Sequence, residues 1–269
     1  MCDTLVAYYL RNRDEFKGED GHKKLLEGLH LYISEKEETQ GKQMLAIDVG
    51  ACIGNYITSL YSISRGNNTK FLHFEPNPMN IAVLEPKLTS EKARLFKHCL
   101  SNETTRANFY NWKDKAKNHS GNGVAGLRSG GSKICEVDVK RLDDVLDECG
   151  YQDSIIQFIK IDTEGNDSNV LKGCERYMHA IQYIIFECSD CLDDMRGPGI
   201  KGPMKDIVDY LDSHGFDTYR IGTKKLLKVN GEFWNQTYED VKFWSNCFSL
   251  KKDDNLIHKL INENFDYTY

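Results

Sequence analysis

The sequence predicts an α/β fold in which a doubly wound, mostly parallel sheet is flanked by helices, and three observations predict it. Short apolar runs near 45–49, 71–74, 155–161 and 182–187 alternate with stretches whose apolar residues recur at helical spacing. The first run, Leu45-Ala-Ile-Asp-Val49, leads into Gly50 and Gly54 and then Tyr56, Ile57 and Leu60, which reads as strand, tight turn and helix. Later runs end in acids, Glu75, Asp162 and Glu187, at the carboxyl edge where such sheets bind ligands.

Residues 1–41 form a helical extension, with Leu25, Leu26, Leu29, Leu31 and Ile33 among polar residues. It reads as a helix packed on the core edge or, alternatively, as a lid over the ligand pocket. At the glycine turn the backbone can approach a ligand closely, and helix-start amides attract polar or anionic groups. Asp48 is a carboxylate where a phosphate loop would not want one, and the spacing Gly-x-x-x-Gly is not the Gly-x-Gly-x-x-Gly of a nicotinamide dinucleotide fold. A carboxylate here suits an amino group or cation, such as the amino-acid end of S-adenosylmethionine.

Phe71–Phe74 is a second strand ending in Glu75, which can accept hydrogen bonds from two ribose hydroxyls. Pro76-Asn-Pro78 then turns the chain out of the sheet and residues 80–88 resume as helix. Residues 93–100 read as a third strand whose exit, Leu100 and Ser101, faces a nucleotide base. The polar, glycine-rich passage 111–133 reads as a substrate loop or an excursion, and His119 within it is a candidate base. Residues 134–139 alternate as a strand and 142–146 open a helix. The apolar strand 155–161 ends in Asp162 and Glu164, two apart and on one side of extended backbone. Paired acids there can bind a cation, a metal or an acceptor hydroxyl, or can cap the following helix through residues 170–177. After the strand ending in Glu187, residues 189–206 are placed to shape an acceptor pocket. Residues 207–211 are helical, and 216–221, 226–229 and 241–250 read as strands, the last two an antiparallel pair closing the sheet. Residues 256–265 form a short amphipathic helix.

The 269 residues fit one domain: the extension, an α/β core at 42–250, and a C-terminal helix and tail at 251–269. A net charge of −6 argues against general nucleic-acid binding. No apolar run approaches the roughly 20 residues of a membrane span, and the start lacks the basic and apolar regions of a signal peptide. Nine scattered cysteines suggest reduced thiols and a cytoplasmic setting, and Cys188 and Cys191 have no second pair to complete a zinc site.

Asp48-Val-Gly-Ala-Cys-Ile-Gly54, Phe74-Glu-Pro-Asn-Pro78, Leu142-Asp-Asp144 and Ile159-Lys-Ile-Asp-Thr-Glu-Gly165 through Val170-Leu-Lys-Gly173 resemble, in order, the signatures of FkbM-type methyltransferases. The resemblance runs from about residue 45 to 188. It implies a class I methyltransferase (Rossmann-like) fold, a seven-stranded, mostly parallel sheet with an antiparallel last strand and helices on both faces. It implies S-adenosyl-L-methionine as cofactor and O-methyl transfer to a sugar, glycan or related small-molecule acceptor. By position, Asp48, Gly50, Ala51 and Gly54 would line the methionine end, with Asn55 opening the helix. Glu75 would hold the ribose; Pro76, Asn77, Leu100 and Ser101 would flank adenine. Asp162 and Glu164 would face the transfer site. Cys52, Asn166-Asp167 and Ser189 depart from the usual Asn, Ala-Glu and His. Methyl transfer from a sulfonium is an in-line displacement, so Glu164 is the first candidate to take the acceptor's proton, with Asp162 orienting substrate or cofactor. A divalent metal is not expected, although the two acids could hold magnesium. The competing readings are a nicotinamide-dependent oxidoreductase and a non-catalytic cofactor-binding module.

Overall fold

The structure, a computed structural model, describes residues 2–16, 20–37, 41–63, 68–111, 125–127, 131–187, 204–240, 245–263 and 265–266. Helices α1 (Cys2–Arg11) and α2 (Asp20–Glu37) precede β1 (Met44–Val49), α3 (Ile57–Ile63), β2 (Thr69–Phe74), α4 (Pro78–Leu84) and β3 (Ala93–Phe96). Short strands β4 (Cys99–Leu100), β5 (Thr105–Asn111), β6 (Ala125–Gly126) and β7 (Ser132–Lys140) follow. The chain continues through α5 (Leu142–Glu148), β8 (Ile155–Ile161), α6 (Asp167–Lys172), β9 (Ile181–Glu187) and α7 (Met204–Ser213). It ends with β10 (Phe216–Ile221), β11 (Leu226–Lys228), α8 (Thr237–Asp240), β12 (Asn246–Lys251) and α9 (Leu256–Glu263).

The main sheet has the order β11-β10-β12-β9-β8-β1-β2-β3. Strands β9, β8, β1, β2 and β3 are parallel, and β12 runs antiparallel between β9 and β10. Among the described residues this sheet has eight strands, not the expected seven. The additional strand is β11, a hairpin return on β10: Gly222 N donates to Lys225 O at 2.9 Å, and the return buries Leu226 and Leu227. Nor does β12 pair with β11 as the sequence suggested. The chain crosses through a turn of 3-10 helix at Gly231–Phe233 and α8, and β12 enters beside β9, with Phe248 opposite Ile185.

Alternation along the central strands builds two cores. Leu45, Ile47 and Val49 of β1 join Ile156, Ile159 and Ile161 of β8 on one face, covered by α1, α5, α6 and α7. Ala46, Phe158, Tyr183 and Ile185 face the other side, where Leu25, Leu29 and Ile33 of α2 pack with Leu60 of α3 and Leu256 of α9. Spacings of four residues put Leu25, Leu29 and Ile33 on one stripe, so α2 belongs to the second core layer while α1 covers the first, and Leu31, which the sequence grouped with them, is exposed. No helix among the described residues is long and apolar enough to cross a membrane.

The expected strand 93–100 divides. Its first half joins β2, whereas β4 pairs with β7 in a separate four-stranded sheet ordered β4-β7-β5-β6. Phe109, Val137, Val139 and Cys99 form the small core of that sheet. Strand β5 has no clear alternation, since only Phe109 in it is buried.

Candidate active site

Gly50 has φ +77, and a Cβ there would lie 1.9 Å from the Asp162 carbonyl oxygen, so the turn after β1 passes too close to the exit of β8 for any side chain. The amides of Gly50 and Ala51 both donate to Phe74 O at 3.0 Å, which fixes this turn on the end of β2. Helix α3 begins only at Ile57, so Asn55 lies in the turn before the helix and does not open it. Gly54, φ +84, packs against Ile57 and Leu84.

Asp48 is completely buried, with Lys160 Nζ 3.3 Å from Oδ1 and His73 Nδ1 3.5 Å from Oδ2. Burial by itself would raise its carboxyl; the Lys160 charge and His73 outweigh burial and hold it below the usual range. Lys160 also donates to Gly50 O at 2.9 Å and lies 3.4 Å from Asp162 Oδ2. Burial opposes the Lys160 charge, but Asp162 and Asp48 together raise its pKa above the ordinary value. One ammonium thus joins the ends of β1 and β8. A lysine in an otherwise apolar strand run is the signal that marks it, because a buried charge must find a partner.

Glu75 is buried and accepts from Asn77 N at 2.8 Å and Asn80 Nδ2 at 3.3 Å through Oε1, and from Cys52 N at 2.7 Å through Oε2. Burial pushes its carboxyl up to about 7 against the pull of those donors. Asn77 caps α4 by accepting from Met79 N, with Pro78 at the first helical position. The loop after β8 is tied to β4 by Asn166, whose Nδ2 donates to Leu100 O at 3.0 Å. Gly173 completes that contact: a Cβ on it would lie 2.0 Å from Ser101 O.

Asp162 is 42 % exposed at its side chain, and Glu164 is half-buried at φ +56, a left-handed conformation that non-glycine residues adopt rarely. Neither acid caps α6. Asp167 holds the intervening turn, accepting from Thr163 N, Thr163 Oγ1 and Gly165 N. Burial, with the Asp162 charge adding to it, raises the Asp167 carboxyl to about 7.

These strand ends surround a cavity of about 650 Å³. Of the residues singled out in the sequence, Gly50, Ala51, Asn55, Glu75, Pro76, Leu100, Asp162 and Glu164 line it. Asp48, Gly54, Asn77 and Ser101 do not: they lie behind the wall, holding the lining residues in place. Sequence reasoning missed Lys160, His22, Tyr56, His98 and Asn246, all of which line the cavity. His119, Cys188, Ser189, Cys191 and most of the passages 111–133 and 189–206 lie outside the described residues. Among the described residues no group of three or more His, Cys, Asp or Glu is placed to hold a metal ion, and the described cysteines are free.

A parallel sheet whose carboxyl edge brings a glycine turn after β1, a buried acid after β2 and two further acids after β8, on the other side of β1, around one cavity has the arrangement in which open α/β sheets bind ligands. The model of the methyltransferase FkbM domain matches residues 48–218, and the chain belongs to that family. No curated protein matches the chain. Among solved structures, it is similar to the methyltransferase FkbM from Methylobacillus flagellatus KT, at 15% identity and TM-score 0.47, over 91% of this chain and 60% of that one. The chain therefore spans less than two thirds of that structure. An S-adenosylmethionine-dependent methyltransferase from Aquifex aeolicus matches at 14% identity and TM-score 0.36, over 81% of this chain and 85% of that one. A precorrin-6y C5,15-methyltransferase from Geobacter metallireducens GS-15 matches at 11% identity and TM-score 0.36, over 82% and 88%.

Proposed function

We propose that the chain transfers a methyl group from S-adenosylmethionine to a hydroxyl of a sugar, glycan or related small molecule. The observation that supports this reading best is the meeting, around one cavity, of the Gly50 turn, the Glu75 carboxylate and the acids Asp162 and Glu164. Its volume lies in the range of ligand sites. The residues present fit the cofactor. Glu75 Oε2 accepts one bond and retains a lone pair for a ribose hydroxyl. His98 Nε2 is buried without a hydrogen-bond partner among the described residues and lines the cavity with Leu100 and Phe109, which suits the edge and faces of a purine.

When bound, S-adenosylmethionine supplies a methyl carbon activated by a positively charged sulfur. The protein's part is to hold the acceptor oxygen in line and receive its proton. Glu164 takes that proton as the new carbon–oxygen bond forms. Asp162, braced by Lys160, would hold the cofactor's amino group; an acid against the sulfur would favour the ground state, whose charge disappears on transfer. The test is incubation with methyl-labelled S-adenosylmethionine and a panel of saccharides, other alcohols, amines and carbon acids. Label is expected on a hydroxyl oxygen. Label confined to nitrogen or carbon acceptors overturns the O-methyl reading.

A further inference from the structure

The two acids that follow β8 are held by different means. Asp162 is fixed from β1: its amide donates to Val49 O at 3.1 Å, its carbonyl lies against Gly50, and Lys160 pairs with its carboxylate. Glu164, two residues on, belongs to neither strand nor helix and stands at φ +56, followed by Gly165 at φ +99. Two successive residues with positive φ persist where their surroundings hold them. The described contacts that hold this turn converge on Asp167, the first residue of α6.

Asp167 is 2% exposed, and its carboxylate gathers donors from both sides of Glu164. Thr163 N reaches Oδ1 at 3.4 Å, while Thr163 Oγ1 and Gly165 N reach Oδ2 at 3.2 and 3.3 Å. Both bonded amides precede α6, so what the carboxylate shapes is the turn. The helix behind it is anchored in the first core through Val170 and Leu171, and Asn166 Nδ2 donates to Leu100 O at 3.0 Å. The position of α6 is thus passed through one carboxylate to the backbone that carries Glu164. These donors need an acceptor on each oxygen. An amide in place of the carboxyl offers only one: whichever way it is turned, its NH2 faces either the Thr163 amide or the Gly165 amide, donor against donor, and one flank of Glu164 is released.

We propose that Asp167 is a positioning residue for methyl transfer: it fixes the backbone of Glu164 so that this side chain stands at the acceptor oxygen, separately from the anchors that fix Asp162. This rests on the methyl-transfer reading above, with Glu164 as its base. Asp167 does not line the cavity, although Asp162, Thr163, Glu164 and Asn166 around it do, so it acts through Glu164. A reacting group displaced by about 1 Å costs on the order of 10² in rate. Asp162 keeps its own contacts to Val49, Gly50 and Lys160 whatever stands at 167, so the end of the cavity given to the cofactor's amino group is untouched.

Asp167→Asn is made alone and in the Glu164→Gln background, and wild type and variants are assayed at pH 8, above the value of about 7 to which burial raises the Asp167 carboxyl. S-adenosylmethionine affinity is read by calorimetry, and kcat and KM from labelled methyl transfer to the alcohol most strongly labelled in the panel above. Asp167→Asn is expected to keep cofactor affinity and acceptor KM within about twofold of wild type and to lower kcat at least about tenfold. Added to Glu164→Gln, it is expected to lower kcat by less than about a further twofold, because the group it positions is already gone. A structural role alone lowers kcat by the same factor in both backgrounds, and that result overturns the proposal. So does wild-type kcat in a folded Asp167→Asn, and so does a loss of cofactor affinity, which would give the turn to the cofactor. Gly165→Ala, strained at φ +99, releases the same flank with Asp167 intact and carries the same cycle where Asp167→Asn does not fold. Full activity in Glu164→Gln alone overturns the base and the role of Asp167 while methyl transfer stands. Wild type that binds no S-adenosylmethionine, or labels no alcohol, overturns the reading above and the role of Asp167 with it.

Discussion

Glu164 sits at the cavity rim in a left-handed backbone conformation, and its neighbour Gly165 has φ +99. Glu164→Gln keeps the shape and the conformation while removing the basic oxygen. It is expected to leave cofactor affinity unchanged and to lower kcat by about 10² or more, within the span of general-base contributions; full activity would show that the base is another residue. A second residue-level outcome concerns pH. Glu75 and Asp167, both raised to about 7 by burial, hold protons in the folded state that the unfolded chain has released, so they stabilise below the ordinary carboxylate range and the gain is lost as pH rises through 7. His22 and His98, both lowered to about 4 chiefly by burial, have the opposite sign: their contribution is present above about 6.5 and lost as pH falls toward 4. The two pairs offset one another between about 4.5 and 6.5. Above that window only the carboxyls act, so the ligand-free protein is expected to unfold at lower urea at pH 8 than at pH 6, and Glu75→Gln to reduce that difference. Glu75, Asp162 and Glu164 were legible because an acid at a strand exit stands out from its apolar run. His22 and Asn246 were not, since 224 residues separate them and nothing local announces the contact.

At the level of elements, the Asp48–Lys160 pair joins β1 to β8, and both side chains are buried. Lys160→Met leaves Asp48 without its cation and is expected to cost about 3–5 kcal/mol in denaturant unfolding. Adding Asp48→Asn should recover part of that loss, because no uncompensated charge then remains; a double variant no better than the single would show that the pair does not bear the load. The four central strands were readable from apolar runs flanked by glycine and proline. The break at Lys97 and His98, which sends β3 and β4 into different sheets, was hidden, because the residues on both sides remain apolar and strand-forming. Strand β5 was hidden for the opposite reason: its partly exposed face carries no alternation to read. The position of β12 between β9 and β10 is set by long-range pairing, for which local sequence carries no signal.

For the whole molecule, the doubly wound plan was legible because buried parallel strands must be apolar on both faces and their crossovers must be helices. The part played by the N-terminal segment was only half legible. The leucine stripe of α2 announced a packed helix, and the same helix turns His22 and His30 toward the cavity, which makes it core layer and cavity wall at once. The central claim is that the carboxyl edge of this sheet holds a sulfonium nucleoside through Glu75. Its most direct test is calorimetric titration of the protein with S-adenosylmethionine and, separately, with NAD, each repeated on Glu75→Ala. One S-adenosylmethionine per chain, no heat from NAD, and at least about a tenfold loss of affinity in Glu75→Ala are the predicted results, the loss matching a hydrogen bond to a carboxyl removed from a buried site. Saturable binding of NAD without S-adenosylmethionine binding, or Glu75→Ala that folds and binds S-adenosylmethionine as wild type does, would contradict it.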